Sequence, residues 1–421
     1  MELGWGILRR DMACRAPTFK SSACSAVIKQ TYKVWYIVKQ EESQLLMQYL
    51  RRIPYMSLGF RLTLVSFLFN ISIETSSIFL PLRAKSLGAS NLEVGLIAAA
   101  YGMAYFISSF IFGRRSDMHG RMAFIRWGLA LSALAYVSQV FAPTTMMLLV
   151  SRGVIGFCLG VSSAALVAYV YEVGEQVGSF ASFGSLGWFF GAMMAVATGN
   201  IEALFIASAV ASAIAFAISL TLREKEVSRI KVAVIPMGVI WSNRKIYVPF
   251  LLRHIGATAV WSIWALYLSG IGASKMWIAV MDGINMGGQF VAMQLIKRFN
   301  PARIFTIGLL SSVLVFAVYG VATNYLQLIP VQIVLALAWS GLFVGALNFL
   351  LAKNVERGTA VGMLYASMSL SGGIGPFLGG AISQVWGFPT LMFASSGISF
   401  VGLLASRGLG SKAGKRQELK E

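Results

Sequence analysis

Two charged residues stand inside long apolar runs: Glu74 in the run that begins near Phe60, and Arg152 in the run that begins near Thr144. A charge in the interior of a bilayer costs at least about 2.5–3.5 kcal/mol, so its retention points to a use. Glu74 lies eight positions before Leu82 and Arg152 eight positions after Thr144. If both runs are helices rising 1.5 Å per residue and crossing in opposite senses, both side chains sit about 12 Å deep. Burial disfavours an ionised carboxyl and a nearby guanidinium favours it. A movement that changes their separation would then take up or release a proton, with Glu74 as carrier and Arg152 as tuner. The plainer reading is a static buried ion pair that fixes helix packing. Asn70 precedes Glu74 by one turn, and Ser66 and Ser77 continue the stripe, as helical spacing requires.

A second polar stripe runs through Asp282, Asn285, Gln289 and Met293. Spacings of three and four put them on one helical face, and a polar face in an apolar segment is expected to line a cavity. Upstream, Arg253 is expected to snorkel to the nearer interface, and His254 to be a hydrogen-bonded packing residue rather than a proton relay. Tyr101, Tyr105, Trp261, Trp264, Trp339 and Tyr365 fall within apolar runs. Aromatic walls suit apolar, cationic or planar ligands, although rings in such runs also face lipid or form interfacial belts.

These residues need helices to hold them. The 421 residues are 57% hydrophobic and 12% charged, with a mean hydropathy of +0.72. Soluble domains carry about 25% charged residues, so the composition is that of a polytopic membrane protein. From Phe60 twelve runs follow, at about 60–82, 91–112, 123–142, 144–171, 179–198, 201–222, 247–269, 275–297, 302–322, 327–352, 359–384 and 388–406. Each is near the ~20 residues that cross a bilayer core. Glycine trios such as Gly153-Gly156-Gly160 and Gly184-Gly187-Gly191 read as close helix contacts.

The net charge of +19 gathers at run ends. It marks one set of loops as cytoplasmic, with both termini on that side, and does not suggest nucleic acid. Cys14, Cys24 and Cys158 form neither a disulfide framework nor a metal spacing. No phosphate loop, catalytic triad or metal cluster is visible, so neither an enzyme nor a cofactor is expected.

The chain repeats itself. Leu87-Gly88-Ala89-Ser90 returns as Ile271-Gly272-Ala273-Ser274, and Glu172-Val173-Gly174 opens an element that returns at Glu356-Arg357-Gly358. Both matches share an offset of 184 residues (87 to 271, 172 to 356). The expected organisation is a poorly ordered extension over 1–55, a six-helix bundle over 56–222, a cytoplasmic linker over 223–245, a second six-helix bundle over 246–406 and a cytoplasmic tail over 407–421. Parallel repeats of this kind place a ligand site near the midplane between halves.

Between the second and third runs lies Gly113-Arg114-Arg115-Ser116-Asp117-Met118-His119-Gly120-Arg121, read as a tight charged turn. Its Gly113, Asp117, Gly120 and Arg121 resemble the signature loop of the major facilitator superfamily. Arg152-Gly153-Val154-Ile155-Gly156 and Gly375-Pro376-Phe377-Leu378-Gly379-Gly380 are similar to further elements of that family. Arg115 and Met118 depart from its usual loop, and Lys297-Arg298-Phe299-Asn300 lacks the acidic residue of a second gate. The resemblance implies an all-α fold of twelve transmembrane helices in two pseudo-symmetric bundles, and transport by alternating access. Asp117 is expected to cap the start of the eleventh helix near Thr359, where a helix N-terminus favours an anion. Arg121 is expected to pair with Glu172. With Gly113, Gly120 and Glu356 these form a cytoplasmic gate.

Glu74, Arg152 and Asp282 are the expected proton-coupling residues. Asn70, Tyr101, Tyr105, Trp264, Asn285, Gln289, Trp339 and Tyr365 are expected to line the substrate cavity. The partners implied are a small-molecule substrate, protons and the lipid bilayer of the cell membrane, with the chain a monomer. The expected function is proton-coupled export of small amphipathic compounds, similar to drug–proton antiporters of the family. The alternatives are uptake of a sugar or organic acid, which a purely polar cavity would favour, and a non-transporting receptor or scaffold.

Overall fold

A computed structural model describes residues 57–175, 177–224, 236–296, 299–354 and 357–409. The extension over 1–55, most of the linker and tail, Lys297, Arg298 and Glu356 lie outside the described residues.

The first six spans are Leu58–Ser86 (broken at Ile78 and Phe79), Asn91–His119, Met122–Val140, Thr145–Glu172, Val177–Thr198 and Ile201–Ser219. The second six begin with the bent pair Arg244–Trp261 and Trp264–Gly270, then Lys275–Leu295, Pro301–Val321 and Ile329–Lys353. Arg357–Ala405 supplies the last two, divided where Gly387 takes φ 82°. Nine described helices are long and apolar enough to cross a membrane, or ten with the bent pair. Dividing the last at Gly387 and adding the polar-faced Lys275–Leu295 makes twelve.

Helix starts follow local chemistry. Ser90 and Glu93 form a capping box, with Glu93 N–H donating to Ser90 Oγ at 3.2 Å and Ser90 N–H to Glu93 Oε2 at 2.7 Å. Asn200 and Asn300 accept from the first turns of the sixth and ninth spans. Such side chains satisfy donors that a helix start leaves open.

The repeat is structural. Gly88 (φ 84°) and Gly272 (φ 91°) make the same left-handed turn, and Ser90 and Ser274 cap the helices that follow. The break in the first span lies between Ser77 and Leu80, and that in the seventh between Trp261 and Trp264. The same 184-residue offset relates them.

Two expectations change. The Gly113 segment is helical through His119 and turns only at Gly120 (φ 100°). Gly113 sits in the helix against the fourth span, where a Cβ would stand 3.1 Å from that of Ala164. Within the trio of the fourth span, Gly156 and Gly160 lie against the second span, but Gly153 faces open space. Its position turns it away from the helix contact.

At the end away from the basic loops, Ile78, Phe79, Leu80, Ile97 and Leu148 pack in one cluster with Trp264, Leu268, Ile278 and Phe316. Residues from both halves therefore close that end.

Candidate functional site

Toward the basic end the halves separate around a cavity of about 1820 Å³. The first span presents Ser66, Asn70, Glu74 and Ser77 to it, so the polar stripe faces inward. The glycines of the fifth span make room for this stripe. A Cβ on Gly184 would stand 2.9 Å from Asn70 Nδ2, and one on Gly191 would stand 2.7 Å from Glu74 Cβ. Asn70 Nδ2 donates to Ser66 O at 2.8 Å.

Across the cavity stand Asp282, Asn285, Gln289 and Met293. Trp264 Nε1 donates to Asp282 Oδ1 at 2.9 Å. The amides satisfy one another: Gln289 donates to Asn285, Asn285 Nδ2 to Gln332 Oε1 at 3.0 Å, and Gln332 Nε2 to Tyr319 OH at 3.1 Å. Buried polar groups are costly unless paired in this way. Tyr101, Tyr105, Trp264, Trp339 and Tyr365 all line the cavity. Glu74 and Asp282, one from each half, line the same cavity. The arginines and lysine in its wall, Arg114, Arg121 and Lys353, sit at its basic end.

Arg152 departs from expectation. It is buried, and its Nη1 and Nη2 donate to Ser76 Oγ at 3.0 Å and Ser77 Oγ at 3.1 Å. Its guanidinium lies 4.4 Å from the centroid of the Tyr101 ring. The ion pairs among the described residues join Arg121 to Asp117 and to Glu172, so Glu74 and Arg152 do not pair in this state. The physical reason is reach: two hydroxyls and a ring face meet the guanidinium before the carboxylate does.

Arg253 does not snorkel. It is 0% exposed, held by Ser312 Oγ at 2.9 Å and set against Trp261, Phe316 and Trp339 at 5.4–5.8 Å. The ninth and tenth spans cover its path to the interface, and Nη1 and Nη2 have no partner. His254 packs as expected, stacked on Phe250 and on Trp339 (centroids 5.7 and 5.1 Å). Its Nδ1, however, is buried without a partner.

At the mouth, Gly113, Asp117, Gly120, Arg121 and Glu172 line the opening. Arg121 Nη2 donates to Glu172 Oε1 at 2.6 Å, and Arg121 also pairs with Asp117. Partial burial opposes the charge on Arg121, but hydrogen bonding to Glu172 and the charges of Asp117 and Glu172 outweigh it, holding the guanidinium above its usual range. The contact found at Asp117 is this pair with Arg121; Thr359 lies elsewhere on the same cavity wall.

The sequence reading missed Glu224. Its carboxylate accepts from Arg121 N–H at 2.7 Å and Met122 N–H at 2.8 Å, capping the third span. Its neighbours in sequence gave no cue, because the partner is about a hundred residues away. Gln332 and Tyr319 were also missed. An amide inside the apolar tenth run was the available signal for Gln332.

Comparison with known proteins agrees with this architecture. The sequence profile of the Major Facilitator Superfamily matches residues 62–281 and 277–419. The chain belongs to the major facilitator superfamily. It is a multi-pass membrane transporter and, with its transporter relatives, points away from enzymatic chemistry. An uncharacterized MFS-type transporter of Methanocaldococcus jannaschii, MJ1560, is 31% identical over 111 residues, which is 25% of this chain. That match spans 29% of the relative's length. Among solved structures, the human organic anion transporter MFSD10 (TETRAN) superposes with a TM-score of 0.69 at 16% identity, covering 84% of this chain and 100% of that one. The nucleoside transporter NupG superposes with a TM-score of 0.64 at 14% identity, covering 83% and 98%. At these identities the likeness speaks for the fold.

Proposed function

We propose that this major facilitator exports small amphipathic compounds by alternating access, in exchange for protons carried on Glu74 and Asp282. The basic loops and both termini are cytoplasmic on this reading, and the cavity opens to the cytoplasm. The observation that carries the proposal is that Glu74 and Asp282, one from each half, stand in the wall of one cavity. Two carboxyl groups in the wall of one cavity offer places where protons or a cationic substrate can neutralise negative charge. The aromatic wall supports apolar and cationic ligands. The amide groups bond one another, which leaves less polar valence for a sugar and speaks against the uptake reading.

The test uses proteoliposomes with an imposed pH gradient and an entrapped pH dye. Adding the lipophilic cation TMA-DPH, a trimethylammonium-diphenylhexatriene, should dissipate the gradient in wild type but not in Glu74→Gln. Full gradient-driven transport in Glu74→Gln would refute the carrier role.

A further inference from the structure

The first span carries two polar stripes, and the cavity accounts for one of them. Ser66, Asn70, Glu74 and Ser77 line the cavity. Ser72, Thr75 and Ser76 are fully buried, and their spacing puts them together on another side of the helix. Ser72 Oγ donates to Tyr136 OH at 3.3 Å, and Thr75 Oγ1 meets Ser208 Oγ at 2.8 Å. This second stripe therefore turns to the third and sixth spans.

Just past both stripes the helix breaks. Pro81 stands in the first turn of Leu80–Ser86. It has no N–H, and its ring crowds the carbonyl four residues back, that of Ser77. The last turn of Leu58–Ser77 holds carbonyls that a helix end leaves open. Ile78 N–H donates to Glu74 O at 3.0 Å. Ser76 O accepts from Gln139 Nε2 of the third span at 3.0 Å. Arg152 of the fourth span donates to the hydroxyls of Ser76 and Ser77. Two neighbouring helices thus clasp the break.

A bend does not require this clasp. The 184-residue offset sets the seventh-span break opposite this one and puts Thr323 and Ala336 at the places of Gln139 and Arg152. Thr323 is exposed beyond the end of Pro301–Val321, and alanine has no side-chain donor. That break stands among rings, with Trp264 5.0 Å from Tyr319 and Trp261 6.3 Å from Trp339. It also bends more sharply, by 54°. The clasp is kept at a cost as well. Gln139 is 2% exposed, and its Oε1 has no hydrogen-bond partner among the described residues, nor has Arg152 Nε. Buried polar atoms left unpaired are unfavourable, and an apolar residue at 139 would avoid one of them. Contact with substrate does not explain the amide, because Gln139 is not among the residues that line the cavity.

What the clasp adjoins is Glu74, which shares the last turn of the helix with Ser76 and Ser77. We propose that Gln139 is a positioning residue for Glu74: with Arg152 it fixes the last turn of the first span, and so fixes where the Glu74 carboxyl stands in the cavity. The inference rests on the export reading above for the use made of that carboxyl.

The test reads the carboxyl directly. Dicyclohexylcarbodiimide, an apolar reagent that adds to carboxyl groups in membrane interiors, is applied to the full chain in proteoliposomes, and adducts at Glu74 and Asp282 are followed by peptide mass spectrometry. Gln139→Met removes the amide at nearly constant length. It should change the rate at Glu74 severalfold, while the rate at Asp282, in the other half, stays at its wild-type value. In the pH-gradient assay the same variant should lower the maximal exchange rate severalfold and leave the half-saturating concentration of TMA-DPH in place. Gln139→Asn keeps an amide but stops one methylene short of the Ser76 carbonyl. It should match Gln139→Met in both readings, and it decides the matter should the methionine variant fold poorly. An unchanged rate at Glu74 would overturn the proposal. So would equal changes at Glu74 and Asp282, which mean general loosening, or a raised half-saturating concentration at an unchanged maximal rate. The carbodiimide reading does not depend on proton coupling, so a failure of Glu74 as carrier leaves it intact.

Discussion

The ring of Tyr101 lies over the guanidinium of Arg152, 4.4 Å from centroid to carbon, and separates that charge from the cavity that Tyr101 itself lines. A desolvated cation–π contact of this kind contributes about 2 kcal/mol. Tyr101→Leu should therefore lower the melting temperature in detergent and reduce transport severalfold. Tyr101→Phe keeps the ring face and should stay near wild type in both. Equal effects of the two substitutions would deny the ring its role.

Arg121 bridges Glu172 and Asp117. Hydrogen bonds to charged groups are worth about 1.5–3 kcal/mol, so Arg121→Ala should destabilise by roughly that amount. The pH dependence has a definite sign. A basic group whose folded-state pKa is raised lends stability at pH values below its unfolded pKa and loses it as pH rises through the folded value. For Arg121 that value lies above the ordinary arginine range, so its contribution should persist unchanged from pH 7 to 10. In Arg121→Lys the cation has an ordinary pKa of about 10.4, and thermal stability should begin to fall toward pH 10. Melting curves at pH 7 and 10 for both proteins decide this.

Glu224 caps the start of the third span through two backbone donors. Removing such a cap costs about 1 kcal/mol. Glu224→Ala should lower thermal stability accordingly, and Glu224→Gln, which keeps an acceptor, should lose less.

Gly153 and Gly156 look alike in sequence and differ in surroundings. A Cβ at Gly156 would run into the backbone of Tyr101, whereas one at Gly153 meets nothing within 4 Å. Gly153→Ala should be neutral or stabilising by up to about 1 kcal/mol, through helix propensity. Gly156→Ala should reduce yield and melting temperature, because backbone on the facing helix cannot yield as a flexible side chain can. Matched expression and thermal-shift measurements distinguish them.

Much of this arrangement was legible in the chain. Helical spacing put Glu74 with Asn70 and Asp282 with Gln289, and both faces line the cavity, because a polar stripe in an apolar helix has nowhere else to turn. The pairing of Arg121 with Glu172 was also readable. What escaped was the choice among competing partners. Depth alone put Arg152 level with Glu74, but it could not reveal that Ser76, Ser77 and Tyr101 stand nearer. Arg253 was given a route to the interface because its covering residues, Phe316 and Trp339, come from runs 60 or more residues downstream. Glu224 escaped for the same reason. The helical continuation through His119 escaped because glycine in a membrane helix does not carry its usual meaning as a breaker.

Glu224 is also the last described residue before the connector between the two bundles. Its carboxylate is fastened to the backbone of Arg121 and Met122, four and five residues past Asp117. A pull on the chain beyond Glu224 would thus be delivered to the stretch that carries the mouth's charges, through two backbone hydrogen bonds rather than through a side-chain contact.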